Sequence, residues 1–253
     1  AKGIRTVKIE HQRAATILFY KKRSKSTSLV SILSDKDEDE QSSHENSFQS
    51  RFSDNGNDDE NINSFKIPKE LPLLPLKNTV LFPGVVIPIT VGRDKSIKLI
   101  QEAYRKDKII AVVSQKDNTQ EEPAFHDLNM IGSVGVIMKV LRMPDGNTTV
   151  IIQGKKRIEV TGLVKDEPYM VGTVQEIIEA KPKDNNKNFS ATVSSLKDLA
   201  LQIIKQSPHI PSDAAFAIKN IESPSFLINF VASNMNLAVT DKQKMLEIGD
   251  LSE

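Results

Sequence analysis

The sequence lacks cysteine altogether and has few aromatic residues, 5% of the total. Without cysteine the chain has no disulfides, no thiol nucleophile and none of the usual structural zinc sites. It also lacks any apolar run near the roughly 20 residues that a membrane-spanning helix needs. The formal net charge is only +1, so the basic excess typical of nucleic-acid or membrane-surface binding is missing. These absences together predict a soluble protein of a reducing compartment.

The amino-terminal part does not have the composition of a folded domain. Residues 1–34 are rich in Lys, Arg and Ser, with Glu10 as the only acidic residue. This composition fits an organellar transit peptide or, as we favour, a bacterial extension. Residues 35–64 are acidic and almost devoid of aliphatic side chains, so they bury too little surface to offset the entropy of ordering. We therefore interpret residues 1–66 as a disordered extension.

Residues 67–180 show the signals of a strand-rich domain. A turn is predicted at residues 144–147, Pro-Asp-Gly-Asn, between two strands of a hairpin. The first of these strands has apolar residues with the period of two that indicates one buried face, at Val134, Val136, Met138 and Val140. Three prolines lack a backbone donor and are therefore expected at sheet edges or bulges: Pro72, Pro75 and Pro88. We expect a small, irregular barrel.

Helical patterns interrupt the strands once and then dominate residues 181–253. Asp94 is the expected N-cap of the single helix, with Ile97, Ile100 and Tyr104 on its inner face. Four helices are expected after the polar link at residues 181–187. The first has an apolar stripe at Phe189, Val193, Leu196, Ala200 and Ile203. Two later starts are predicted from an N-cap followed by proline at Ser223-Pro224 and from a capping box formed by Thr240 and Gln243.

Four stretches of the chain, in this order, carry a resemblance to a known family. They are residues 71–97 (LPLLPLKNTVLFPGVVIPITVGRDKSI), 109–117 (IIAVVSQKD), 131–160 (IGSVGVIMKVLRMPDGNTTVIIQGKKRIEV) and the tail MLEIGDL, which ends at Leu251. Together they resemble the amino-terminal domain of Lon, the ATP-dependent serine protease family. A match of this length and order is far more specific than a single short motif.

The resemblance implies an α+β fold, with a PUA-like small β-barrel containing one helix at residues 67–180 and a small α-helical bundle at residues 181–253. In the family an AAA+ ATPase and a protease module follow, so this chain is expected to be non-catalytic and to hold no cofactor or metal. The parent would be an ATP-dependent serine endopeptidase that uses ATP and Mg. It would form a homo-hexamer and degrade misfolded or degron-bearing regulatory proteins, called clients below. The expected location is the cytoplasm, with the mitochondrial matrix as the alternative and no membrane association.

Independent catalytic motifs are not apparent. The string Gly154-Lys155-Lys156-Arg157 lacks the upstream glycine and the final Ser or Thr of a phosphate loop. A G-x-S-x-G elbow is absent. Solvent-exposed or loop-capping roles are favoured over catalysis for the four histidines, His11, His44, His126 and His209. The acidic clusters at residues 37–40 and 58–60 lack the ligand spacing of an EF-hand.

A binding surface remains as the functional hypothesis. An apolar, proline-stiffened loop and a second apolar turn form its candidate residues: Leu81, Phe82, Pro83, Val85, Val86, Met143 and Pro144. Preformed apolar clefts bind unfolded segments at low ordering cost, and methionine adapts to varied shapes. The alternative for each single residue, which we favour residue by residue, is that it fills the core.

A second hypothesis is a free-standing PUA-like domain that binds RNA or a protein partner. Lys155, Lys156 and Arg157 would then contact phosphate weakly, although three basic residues beside Glu159 are more typical of a solvated strand face. Rising salt would weaken phosphate contacts steeply but would not weaken apolar client capture.

Because both the phosphate loop and a nucleophile pair are missing, we predict that this chain hydrolyses neither ATP nor casein. The measurement is a coupled ATPase assay and a casein digest with a homogeneous preparation. Hydrolysis that rises in proportion to the concentration of the chain would contradict the prediction.

Overall fold

The computed structural model describes residues 65–142, 148–180, 182, 186–206, 215 and 218–251. The predicted extension before Phe65 and the predicted turn at residues 144–147 lie outside the described residues. The same holds for His209 and for most of the polar link at residues 181–187.

Six strands form one sheet in the order β2-β5-β4-β3-β1-β6, and β5 also pairs with β6. The pairing therefore returns to β5 and closes a circuit of five strands, with β2 attached outside it on β5. All neighbours are antiparallel except β1 and β3, which are parallel. The strands are β1 (Glu70–Leu76), β2 (Val86–Val91), β3 (Ile109–Ser114), β4 (Ile131–Arg142), β5 (Thr148–Lys165) and β6 (Val171–Glu176).

The strand prolines occupy positions where a missing N–H is tolerated. Pro88 lies in β2, the terminal strand of the order, as predicted. The expectation of an edge was wrong for β1, which lies between β3 and β6. The reason is that the two halves of β1 pair with different strands. Pro72 is in the half that pairs only with β6, and Pro75 is in the half that pairs only with β3. Each proline therefore has one unpaired side.

The predicted alternation along β4 is interrupted by two irregularities of register, between Ser133 and Gly135 and between Ile137 and Lys139. Val134 is buried as expected, but Met138 is 38% exposed because it is the extra residue of the second irregularity. Ile137, next to it, is buried instead. An inserted residue shifts the faces of a strand, and the sequence pattern did not show it.

The helix within the sheet region, α1 (Asp94–Arg105), follows β2 directly. Its N-cap is Arg93 rather than Asp94, and the buried face consists of Ser96, Leu99, Ile100 and Ala103. Of the predicted inner face, Ile100 is buried and Ile97 is half-buried, as expected, but Tyr104 is 36% exposed. Further along the chain, residues Phe125–Asp127 form one 3₁₀ turn.

A tyrosine after β5 holds α1 by a hydrogen bond. The hydroxyl of Tyr169 donates to Oε2 of Glu102 at 2.6 Å. Burial, together with this bond to a carboxylate, raises the pKa of Tyr169 to about 12. The hydroxyl therefore remains a donor throughout the neutral range.

Three helices have defined bounds in the carboxyl-terminal part: α2 (Lys187–Gln206), α3 (Pro224–Asn234) and α4 (Val239–Glu247). In α2 the predicted stripe holds through Ala200, but Ile203 is 61% exposed and Ile204 is buried in its place. The cap of α3 is confirmed, because the N–H of Phe226 donates to Oγ of Ser223 at 3.3 Å. The capping box at Thr240 was wrong, since α4 begins two residues earlier than it implies, at Val239, and has Ala238 as its N-cap.

The described residues divide into two units. One contains residues 66–190 and 228–251, and the other contains mainly the described residues between 191 and 227. The carboxyl-terminal segment thus clusters with the sheet, and the division predicted at residue 180 stays a prediction. Within the smaller unit, Lys197 Nζ donates to the carbonyl of Ile221 at 2.9 Å. Its buried apolar side chains include Ile204, Ile218, Ile221 and Leu227.

Gln243 explains why α4 belongs with the sheet. Its Oε1 accepts a hydrogen bond from Oγ of Ser114 at 2.7 Å, and its Nε2 donates to the carbonyl of Ile131 at 2.9 Å. Asn129 extends the network by donating to Oγ of Ser114 at 2.8 Å. A buried network with its partners in place fixes one arrangement of α4 on β3 and β4.

A buried arginine joins β5 to the two segments that follow β6 and α4. Arg157 is 5% exposed, donates from Nη1 to the carbonyl of Ile248 at 2.8 Å, and lies 3.5 Å from a carboxylate oxygen of Glu179. Burial lowers the pKa of the Arg157 guanidinium, and Glu179 opposes that shift. Ile248 ends α4, where a cation interacts favourably with the helix dipole. The two segments also pair with each other around Ala180 and Asp250.

We predict that Arg157→Met lowers the free energy of unfolding by about 3 kcal/mol, because the substitution removes the donor to the carbonyl of Ile248 and the guanidinium beside the partly buried carboxylate of Glu179. The measurement is urea denaturation. The matched control is Lys156→Met, at the adjacent residue, whose ion pair with Glu176 is more exposed and should be worth about 1 kcal/mol or less. Equal losses in the two variants would show that Arg157 does not hold the segments together.

Candidate client-binding surface

The loop between β1 and β2 ends in a tight turn, residues 82–85, called the FPG turn below. The N–H of Val85 donates to the carbonyl of Phe82 at 3.2 Å. Pro83 occupies the second position, and Gly84 has a φ of 78° at the third. Proline followed by a residue with positive φ is typical of a type II turn, in which glycine is the favoured third residue. The sequence Phe-Pro-Gly therefore makes a stiff loop.

The FPG turn is fixed to β5 by backbone contacts at Gly154. The N–H of Gly84 donates to the carbonyl of Gly154 at 2.9 Å, and the N–H of Gly154 donates to the carbonyl of Val85 at 2.8 Å. A Cβ on Gly154 would lie 2.2 Å from the carbonyl oxygen of Phe82, which no real side chain tolerates. Gly154 is thus required for close packing. The residues from Gly154 to Arg157 lie in β5 and do not fit a phosphate loop.

The structure divides the predicted site residues into two classes. Leu81, Phe82 and Val85 are at most 2% exposed and fill the core, so they do not present an apolar surface. Pro83 and Val86 are half-buried and reach the surface. Met143 and Pro144 lie outside the described residues.

Three neighbouring strands, β2, β5 and β4, form a ribbon with two distinct faces. The register places Ile87 beside Ile152, and Ile152 beside Ile137. Because directly paired residues have their side chains on the same face, this row forms one face, and all three side chains are at most 1% exposed. It is the core face of the ribbon.

The opposite face of the ribbon has a cluster of apolar residues among polar ones. Ile151 lies between Pro88 of β2 and Lys139 of β4, and it is 6% exposed. The apolar residues of this face that surround Ile151 are half-buried: Val86, Pro88, Val136 and Leu141. Sequence reasoning found only Val86. The others were missed because the lateral register of three strands is not visible in any one of them, although the proline and the alternating apolar residues were a partial signal.

One end of this ribbon lies at the FPG turn and the other at Arg142 and Thr148. Val86, next to the FPG turn, pairs with Gln153, whereas Val91 pairs with Thr148, which itself pairs with Arg142 of β4. Five residues of antiparallel strand span about 17 Å. An extended client segment of about five or six residues therefore matches the length of the face.

The structure does not support the phosphate-binding alternative. Arg157 is buried against Glu179 and Ile248, and Nζ of Lys156 lies 2.7 Å from a carboxylate oxygen of Glu176. Both cations are thus neutralised or directed inward. A nucleic-acid surface at this position of β5 is not supported.

Metal and membrane features are equally sparse within the described ranges. No group of three or more His, Asp or Glu side chains there is arranged to hold a metal ion. His126, one of the candidate histidines, has an 83% exposed side chain whose Nε2 lies 3.4 Å from Asp127. None of the helices in the described ranges has both the length and the hydropathy to cross a bilayer.

Comparison with known proteins identifies the family. Residues 70–253 match the family model described as the ATP-dependent protease La (LON) substrate-binding domain. The chain belongs to the Lon substrate-binding domain family. It is 58% identical to Lon protease of Flavobacterium johnsoniae over 196 residues, which is 78% of this chain and 24% of that protein. It is 47% identical to Lon protease of Cytophaga hutchinsonii over 188 residues, or 74% of this chain and 23% of that protein.

The chain therefore spans about a quarter of the length of these Lon relatives. Solved Lon structures share its fold. The N-terminal domain of Mycobacterium avium complex Lon protease superposes with a TM-score of 0.60 at 21% identity, covering 73% of this chain and 92% of that one. The Lon N-terminal domain protein from Xanthomonas campestris gives a TM-score of 0.51 at 18% identity, covering 73% and 93%. The mixed α+β class and the Lon resemblance are thus confirmed.

We predict that Phe82→Asp unfolds this Lon domain, because it places an unpaired carboxylate at a position that is 1% exposed. Circular dichroism with heating measures the loss. Pro83→Ser, one residue further and half-buried, is the control and should cost less than about 1 kcal/mol. A Phe82→Asp protein with an unchanged melting temperature would show that this side chain is on the surface.

Proposed function

We propose that the chain captures clients on the opposite face of the β2-β5-β4 ribbon, as the non-catalytic recognition region of an ATP-dependent Lon serine protease. The observation that carries this proposal is the cluster of half-buried apolar side chains on that face, Val86, Pro88 and Leu141, around the buried Ile151 and next to the rigid FPG turn. Preformed apolar surface binds an unfolded segment without an ordering cost of its own. The family's description as a substrate-binding domain supports the same role.

The bound client is an exposed apolar segment of a misfolded or degron-bearing regulatory protein. Within the sheet, the closed circuit of β5, β4, β3, β1 and β6 supports a small PUA-like barrel, with β2 as an outer strand. Met143 and Pro144 remain candidate client contacts on the ground of their sequence alone.

The rest of the activity belongs to the parent protein. Its ATPase module would use ATP and Mg, its protease module would cleave the client, and six copies would assemble in the bacterial cytoplasm. The string from Gly154 to Arg157 does not supply the phosphate loop for those steps, because it is part of a packed strand. The mitochondrial matrix is the alternative location.

The proposal predicts that Val86→Asp weakens client binding about thirtyfold, because an interfacial anchor typically contributes about 2 kcal/mol. Binding of reduced, carboxymethylated α-lactalbumin to the chain is measured by fluorescence anisotropy. Leu141→Asp, at the far end of the same face, should act in the same direction. Affinity should persist as salt rises.

The matched control is Ile178→Asp, which introduces the same charge at an apolar residue that is 84% exposed and lies beyond β6. It should leave affinity unchanged. Melting temperatures of all three variants separate loss of binding from loss of fold. Equal affinity in folded Val86→Asp, Leu141→Asp and Ile178→Asp proteins would disprove a client site on this face.

A further inference from the structure

Strand β2 borders the proposed client site and is the terminal strand of the order. Among the described residues it pairs only with β5, so its outer edge has backbone groups without a strand partner. Such an edge is a template on which another extended chain adds as a strand. An unfolded client is a chain of this kind.

The hydrogen-bonding phase of β2 follows from Gly154. Its N–H donates to the carbonyl of Val85, so the carbonyl of Val85 is directed toward β5. In an antiparallel pair this direction alternates with each residue. Ile87 and Ile89 therefore bond to β5, whereas Val86, Pro88 and Thr90 direct their backbone groups toward the free edge.

Pro88 is the middle one of these three outward positions and has no N–H. A strand that added to β2 would lose its central hydrogen bond there. The remaining outward donors, at Val86 and Thr90, are four residues or about 13 Å apart. Proline at such a position is a known means of protecting an edge.

We propose that Pro88 is a specificity-determining residue: it prevents a client from joining the sheet as a strand and so restricts capture to side-chain contacts with the apolar face. The inference rests on the proposed function. Capture by side-chain contacts alone is reversible and tolerant of the client's sequence. An aggregation-prone client that added to β2 as a strand would instead be retained. The ring of Pro88 serves both purposes, because it also contributes apolar surface beside Ile151.

Hydrogen exchange tests the unmodified chain first. On binding of reduced, carboxymethylated α-lactalbumin, the amides of Val86 and Thr90 should exchange as fast as they do without it. Protection of both amides by the client would mean that strand addition occurs despite Pro88, and would overturn the inference.

Substitutions then restore the missing donor. Pro88→Val should protect the amides of Val86 and Thr90 in the complex and slow client dissociation at least tenfold. Pro88→Ala restores the N–H with a small side chain and should show the same protection. The matched control is Thr90→Val, which makes the next outward position apolar without a new donor; its amides should stay unprotected, and its dissociation rate should change far less than tenfold.

Self-association gives a readout that does not depend on clients. Sedimentation equilibrium should show dimers or larger species of Pro88→Val at concentrations where Thr90→Val matches the unmodified chain. If the unmodified chain binds no client, the proposed function fails while this comparison still tests the edge. Identical behaviour of folded Pro88→Val, Pro88→Ala and Thr90→Val in both assays would disprove a protective role for Pro88.

Discussion

The structure depends on one long strand, β5, whose 18 residues pair with β2, β4 and β6. A strand with three partners must have neighbours on both sides, and this condition limits the size of the side chains that fit along it. At Gly154 the backbone of the FPG turn approaches so closely that no Cβ fits. Three residues later, Arg157 is buried between the chain segments that end the sheet and the last helix. The fold and the candidate surface therefore share the same element.

This arrangement connects the candidate client-binding face to the carboxyl-terminal end of the domain. The amino-terminal half of β5 forms the ribbon with β2 and β4, and the carboxyl-terminal half pairs with β6. Arg157 lies where the two halves meet and contacts the end of α4. The polar network of Gln243 holds the same helix on β3 and β4. Two buried polar contacts thus fix the direction of the last helix relative to the sheet.

Proline has three different uses in this domain, and each follows from the absence of its N–H or from its fixed φ. In β1 the two prolines lie in halves that pair on one side only. In the FPG turn, Pro83 sets the first bend so that Gly84 adopts positive φ. In β2, the backbone of Pro88 faces the free edge, so the lack of an N–H there costs no hydrogen bond to β5. A sheet so rich in proline is stable because residues other than proline donate the hydrogen bonds between its strands.

The sequence by itself determined the family resemblance, the α+β class, the cap at Ser223 and the edge position of Pro88, because each depends on local chemistry or on the order of motifs. Only the tertiary structure decided which apolar residues in and beside the FPG turn are buried in the core. Leu81, Phe82 and Val85 are as apolar as Val86, and burial is a property of what packs on them. The register of β2, β5 and β4 was also decided there, since pairing between distant strands leaves no periodic signal in one strand. Gln243 is the same case: its sequence pattern predicts a local cap, but a buried partner on β3 satisfies it instead.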